Sequence, residues 1–162
     1  MTKRLTAALL QHAMGPDIDR NRERSLALID QAAGRGADLI VLPELHASEY
    51  FCKFQDPALH DLAEPLDGPT AKALAQAARS HRVVIIGSLF ERRAAGLSHN
   101  SAIVFDRDGS RAGLYRKMHI PDDPGYNEKF YFAPGDLGFE PVATSLGRLG
   151  VLVCWHSPGR SC

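Results

Sequence analysis

Short, almost continuously apolar runs separated by stretches of helical spacing predict an α/β layered sandwich with a mixed sheet. Ala37 to Leu42 and Val83 to Phe90 are the clearest such runs, as expected of strands covered on both faces. The mixed character comes from a third observation. Asp106-Arg107-Asp108-Gly109 separates two strand-like segments, and Asp-Gly at a turn marks an antiparallel hairpin.

Taken in order, Leu5 to Leu10 reads as a first strand. Asp17 or Asp19 caps a helix that runs through Leu26, Ile29 and Ala33 and stops at Gly34-Arg35-Gly36. Ala37 to Leu42 is the second strand. Pro43 cannot donate to a ladder, so the strand closes there and Glu44 opens a loop. His46 to Asp61 mixes aromatic, sulfur and basic residues and reads as a short helix or loop. Gly68-Pro69-Thr70 opens a helix over Ala71 to Ser80, and Val83 to Phe90 is the third strand. His99 to Phe105 and Arg111 to Arg116 are the two arms of the hairpin. Ile120 to Gly138, rich in Pro and Gly, is expected to be a long ordered loop. Pro141 to Ser145 and Val151 to Cys154 are the last two strands.

At 162 residues the chain is expected to form one domain. Hydrophobic residues make up 44% and charged residues 23%, ordinary values for a globular protein. Lys plus Arg and Asp plus Glu both number 19, so no net charge exists to hold a polyanion, and neither nucleic acid nor an anionic membrane is an expected partner. The cysteines (Cys52, Cys154, Cys162) are odd in number and lack CxxC spacing, which argues for a reducing cytoplasm rather than a disulfide framework. No run approaches the roughly 20 apolar residues of a membrane span, and Ala7 to Leu10 is too short for a signal segment. The histidines show no HExxH or paired Cys/His spacing, so no metal is expected.

Three strand exits carry groups that suit one reaction: Glu44 after Pro43, Lys117 after Arg116, and Cys154 after Val151-Leu152-Val153. Ligands of layered α/β folds bind outside the carboxyl ends of the strands. A free thiol is only a few per cent ionised at neutral pH. A carboxylate beside it takes the proton and later protonates a leaving amine. Attack on an amide carbon creates an oxyanion, which a fixed ammonium stabilises. Each residue also has a bland reading: a cysteine at a strand end is more often an inert hydrophobe, and a loop Glu or a Lys beside Arg116 is more often a solvated charge. Cys52 and Cys162 read as non-catalytic, and Asp122 and Asp123 as solvated. Tyr50, Tyr126 and Phe130 read first as loop-packing aromatics, although the Pro-rich loop tilts Tyr126 toward a pocket. His119 has two readings, one facing the site and one structural.

Taken together, Leu39-Ile40-Val41-Leu42-Pro43-Glu44, Tyr115-Arg116-Lys117-Met118-His119-Ile120-Pro121 and Gly150-Val151-Leu152-Val153-Cys154-Trp155 resemble the carbon–nitrogen hydrolase (nitrilase) superfamily. The resemblance runs from Leu5 to about Trp155. It implies an α-β-β-α sandwich, with Glu44 as general base and acid, Lys117 as oxyanion stabiliser and Cys154 as nucleophile. Glu128 matches the family's second active-site glutamate, and Tyr126 and His119 become substrate-contact candidates. No cofactor is implied. Lys117 to Phe132 and Glu44 to Cys52 are similar to the branch acting on carbamoyl amines of polyamine metabolism. The implied reaction converts N-carbamoylputrescine to putrescine, carbon dioxide and ammonia through a covalent carbamoyl-enzyme. A homo-oligomer is expected of the full-length form. The alternatives are another carbamoyl or amide substrate, such as a β-ureido acid, and a non-catalytic, self-associating half-domain.

The resemblance stops at the C-terminus, where His156 to Cys162 matches none of the family pattern. The expectation is the N-terminal part of a hydrolase domain over residues 1–155 and a divergent tail over 156–162. The second half of the sandwich would be missing, and the chain would be inactive alone.

Overall fold

A computed structural model of the chain describes residues 4–154; the expected tail, and with it Cys162, lies outside the described residues. A five-stranded sheet runs in the spatial order β1 (Ala7–Leu9), β2 (Leu39–Val41), β3 (Val84–Ala94), β4 (Leu97–Phe105) and β5 (Arg111–Arg116). β1, β2 and β3 are parallel, while β3–β4 and β4–β5 are antiparallel, so the sheet is mixed as the sequence predicts. The long helices α1 (Ile18–Gly34) and α2 (Pro69–His81) follow β1 and β2 in the chain. Asp17 caps α1, its Oδ1 accepting from Arg20 N–H at 3.1 Å. Pro69 stands in the first turn of α2, where its missing N–H costs nothing.

Side chains alternate across a strand, and the two faces of this sheet have separate tasks. Ile40, Ile85, Leu89, Ile103 and Phe105 point to the helices and form the main core with Ile29, Ala32, Leu74 and Ala78. On the opposite face, Val84 and Val104 pack against Val142, and Ala102 and Tyr115 against Val153.

Three segments depart from the expectations. β3 continues past Phe90 through Glu91-Arg92-Arg93-Ala94 and turns tightly at Ala95-Gly96, where Gly96 takes φ 71°. The strand expected to end at Phe90 thus runs on through a charged stretch, and Glu91 is buried because Arg116 neutralises it, as described below. The expected loop from Ile120 to Gly138 carries its own structure: a ribbon of β6 (Asp122–Asp123) and β7 (Tyr126–Asn127), then one helical turn, α3 (Glu128–Tyr131). The third departure corrects a strand. Val151 to Cys154 form no ladder among the described residues, and the final hairpin is instead β8 (Val142–Thr144) with β9 (Gly147–Leu149). Val151 and Val153 bury side chains on the sheet face, which needs apolar surface but no backbone pairing. The segment from His46 to Asp61 resolves into two 3-10 stretches, Phe51–Lys53 and Pro57–Leu62. No helix among the described residues is long and apolar enough to cross a membrane.

Candidate active site

Glu44 leaves the sheet because Pro43 ends the ladder, and the two residues after it are anchored. Leu45 is held at φ 52° with its N–H donating to Ser88 Oγ at 3.0 Å. His46 is fully buried, with Nδ1 3.0 Å from Ser25 Oγ, and His12 Nε2 lies 3.0 Å from the same hydroxyl. Among the described residues, three non-glycines take positive φ: Leu45, Cys154 and Arg82, the last of these the C-cap of α2. Such backbone costs on the order of 1–3 kcal/mol and persists where the surroundings impose it. Two of the three adjoin or form the candidate site.

Burial, and then the His12 charge, lowers the His46 pKa from 6.5 to about 4. Between those values the unfolded chain binds a proton that the fold refuses. Stability is therefore fully present above pH 6.5 and declines as the pH falls toward 4, by about 3 kcal/mol from this residue. Urea unfolding at pH 7, 5.5 and 4.5 tests this. The stability advantage of the parent over His46→Asn should shrink on acidification, and a constant difference would refute the assignment.

Arg116 and Lys117 are consecutive cations, and the sheet sends them to opposite faces. Ser101 is the ladder partner of Arg116 and Ala102 that of Tyr115, so Lys117 falls on the side of Ala102. Arg116 donates to Glu91 Oε1 at 2.6 Å and Oε2 at 2.8 Å, and to Asp136 at 2.9 Å. Ser101 Oγ donates to the same Glu91 carboxylate at 2.6 Å. This bidentate pair is buried and saturated, which makes it a structural tie between β3, β5 and the segment carrying Asp136.

Lys117 is only 1% exposed. Its N–H donates to Asn100 O at 2.8 Å, continuing the β4–β5 pairing by one residue. Its Nζ donates to Glu44 Oε1 at 2.9 Å and to Glu128 Oε2 at 2.7 Å. Burial alone would lower the ammonium pKa, but hydrogen bonds with Glu128 and Glu44 outweigh it and hold it above its ordinary value. Glu128, the first residue of α3, is 2% exposed, and its Oε1 accepts from Tyr50 OH at 3.0 Å. The neighbouring Asn127 amide donates to Cys52 O and Lys53 O, each at 3.1 Å, and so ties the ribbon to the first 3-10 turn.

Cys154, at φ 45°, is exposed. Burial of its sulfur raises the thiol pKa, and the Glu44 and Glu128 charges raise it further, with Lys117 opposing them. The resting group is thus a protonated thiol beside a carboxylate. It needs a base at the moment of attack. Cys52 is fully buried, and burial followed by the Glu128 charge pushes its thiol far above the ordinary range.

The structure therefore brings Glu44, Lys117, Glu128 and Cys154 into one electrostatic cluster. Tyr126 is exposed at the rim, its ring centroid 5.9 Å from that of Tyr50. His119 stacks on Phe139, with centroids 6.4 Å apart. Two further residues touch the cluster, and sequence reasoning assigned neither to it: Tyr50 through Glu128, and Asn100, whose Nδ2 donates to Glu44 Oε1 at 2.6 Å. The available signal for Asn100 was the polar pair His99-Asn100 at the head of an otherwise small and apolar strand. A large groove of about 800 Å³, lined by His60, Arg92, Lys129 and Phe130 among others, includes none of the four clustered residues. The cluster of buried charges, rather than that groove, is the candidate site, since an ammonium buried with carboxylates is a common feature of functional sites.

Known proteins share this arrangement of elements. A potato (Solanum tuberosum) protein named N-carbamoylputrescine amidase is 41% identical over 152 residues, covering 93% of this chain and 50% of that protein. A citrullinase of Francisella tularensis is 39% identical over 152 residues, covering 93% of this chain and 53% of its own length. The crystal structure of a carbon-nitrogen hydrolase from Helicobacter pylori superposes with a TM-score of 0.89 at 50% identity, covering 93% of this chain and 52% of that one. The chain thus spans about half the length of the relatives it matches. Residues 6–157 match the carbon-nitrogen hydrolase family, so the β2 exit, the β5 exit and the Cys154 segment are those of a chain that belongs to this family.

Proposed function

We propose that the full-length form of the protein, in which all activity tests below are made, hydrolyses the C–N bond of a terminal carbamoyl group on an amine, with N-carbamoylputrescine as the preferred substrate. The observation that carries this reading is the buried Lys117 ammonium held between Glu44 and Glu128 next to a protonated Cys154 thiol. In the proposed reaction Cys154 Sγ attacks the carbamoyl carbon while Glu44 takes the thiol proton. The developing oxyanion meets Lys117 Nζ, which is already oriented by Glu128. Collapse expels the amine as Glu44 returns the proton to its nitrogen, leaving a carbamoyl thioester on Cys154. Glu44 then deprotonates a water that attacks this thioester. The thiol regains its proton, and the released carbamate breaks down to carbon dioxide and ammonia. No cofactor takes part in this scheme.

The substrate preference rests on charge. Two carboxylates face a single ammonium in the cluster, an excess of negative charge that suits a cationic amine tail. A β-ureido acid would call for an arginine clamp on its carboxylate. Arg116, the buried arginine adjacent in sequence to the cluster, is committed to Glu91 and Asp136 on the other sheet face. The names of the potato and Francisella relatives point to substrates that share a terminal ureido group, which is the chemistry proposed here. Tyr126 and His119 are proposed as contacts to the tail, and a homo-oligomer as the working assembly.

Ammonia release from N-carbamoylputrescine, citrulline and N-carbamoyl-β-alanine, with Cys154→Ser as control, tests the proposal. The amine-tailed compound should turn over fastest. A preference for N-carbamoyl-β-alanine would overturn the substrate assignment.

A further inference from the structure

We infer that Asn100 is the positioning residue that fixes the Glu44–Lys117 pair: its backbone carbonyl holds Lys117 while its side-chain amide holds Glu44. The inference rests on the hydrolase reading above. Asn100 is fully buried in β4, opposite Phe90 of β3. Its carbonyl accepts the Lys117 N–H at 2.8 Å, and its Nδ2 donates to Glu44 Oε1 at 2.6 Å. Glu44 lies 56 residues away in sequence and Lys117 lies 73 residues from Glu44, so one residue in the central sheet, through its backbone and its side chain, relates two strand exits that have no local connection.

The two hydrogen bonds that Glu44 accepts have a consequence for catalysis. Asn100 Nδ2 and Lys117 Nζ both land on Oε1. An oxygen carrying two donors, one of them charged, is the poorer proton acceptor, so the thiol proton goes to Oε2. Asn100 thereby selects which carboxylate oxygen works as the base and stops the carboxylate from rotating.

A second observation argues that Asn100 serves the site rather than stability. Among the described residues its Oδ1 is buried without a hydrogen-bond partner. An orphaned buried acceptor is unfavourable, and turning the amide over would relieve nothing, because Oδ1 would then face the Glu44 carboxylate. The orientation follows from this charge logic. An apolar residue of similar volume would avoid the orphan altogether and would suit a residue whose only task was to fill the strand.

Measurement of kcat/KM against pH in Asn100→Leu and Asn100→Asp, with thermal midpoints alongside, tests the inference. The charged and titratable groups around Glu44 are Lys117, Cys154, Glu128 across the ammonium, and Tyr50 and Cys52 from the first 3-10 turn. None of them is altered in these variants. Loss of a donor to the carboxylate disfavours its charged form, so the acid limb should move to higher pH by on the order of one unit in Asn100→Leu. The isosteric Asn100→Asp should move it at least as far, because a second carboxyl then competes for the same proton. In both variants kcat should fall by about 10²-fold with KM changed little, while Asn100→Leu keeps its thermal midpoint within a few degrees. An acid limb that stays in place in both variants would overturn the inference even if activity fell, since a purely structural loss lowers the rate without moving the limb. The hydrolase reading itself fails in a different way: parent and Cys154→Ser would then show equal turnover of every carbamoyl substrate tried, and the role given to Asn100 would fall with it.

Discussion

Replacing Cys154 with serine is expected to lower turnover of the carbamoyl substrate by about 10⁴-fold or more, the scale seen when a nucleophile that acts as part of a unit is removed. The serine hydroxyl is a far weaker acid than the thiol, and a carboxylate base cannot ionise it appreciably. Cys52→Ser should leave turnover within a few-fold, because Cys52 is buried in the aromatic cluster of Phe51, Phe90 and Tyr131 and its thiol is held protonated. Intact-protein mass after mixing with substrate should show a carbamoyl adduct on the parent and on Cys52→Ser, and none on Cys154→Ser. Labelling adds a pH dependence. Burial and the two carboxylates raise the Cys154 thiol, so its alkylation by iodoacetamide should rise only above the ordinary thiol value of about 8.5. Fast labelling of Cys154 at pH 6 would contradict a protonated resting thiol, and equal turnover by parent and Cys154→Ser would remove the nucleophile from the scheme.

Lys117→Met carries the second large effect, on both rate and stability. The oxyanion loses its charged donor, which is typically worth about 10²–10³ in kcat. The interaction is made mainly in the transition state, so KM should change much less than kcat. The variant also leaves the fully buried Glu128 without its ammonium. Breaking a buried ion pair from one side costs about 3–5 kcal/mol, and denaturant midpoints of the parent and the variant at pH 7.5 would show it. A Lys117→Met protein with altered KM and unaltered kcat would make Lys117 a binding residue only.

The elements that were legible in the sequence are those whose signal is local. Ala37 to Leu42, the helices on either side of it and the hairpin around Gly109 were all readable, because hydrophobic period and turn chemistry are set within a few residues. Gly109 indeed takes φ 79° at its turn. Differences came where a distant partner overrode the local pattern. The third strand reads as ending at Phe90, but Arg116 closes on Glu91 from β5 and the strand runs on. Val151 to Cys154 reads as a strand, yet its valines are used for packing against Ala102 and Tyr115, and it joins no sheet among the described residues.

The candidate site divides along the same line. The sequence alone carried the family resemblance and the exits of β2 and β5 at Glu44 and Lys117, because Pro43, the Lys117 stretch and the Cys154 stretch are contiguous motifs, although the Cys154 stretch is not the strand it reads as. The sequence already singled out Lys117, but only the tertiary structure gave the physical reason that its neighbour Arg116 stays out of the site. The alternation of β5 sends Arg116 to Glu91 and Lys117 to Glu44 and Glu128. The structure alone also identified Asn100 and Tyr50. Neither carries a charge or motif that marks it, and each matters through one hydrogen bond to a carboxylate 56 or 78 residues away in the chain. A buried charge is tolerated only where its partners converge, and that convergence is a property of the folded sheet rather than of any stretch of sequence.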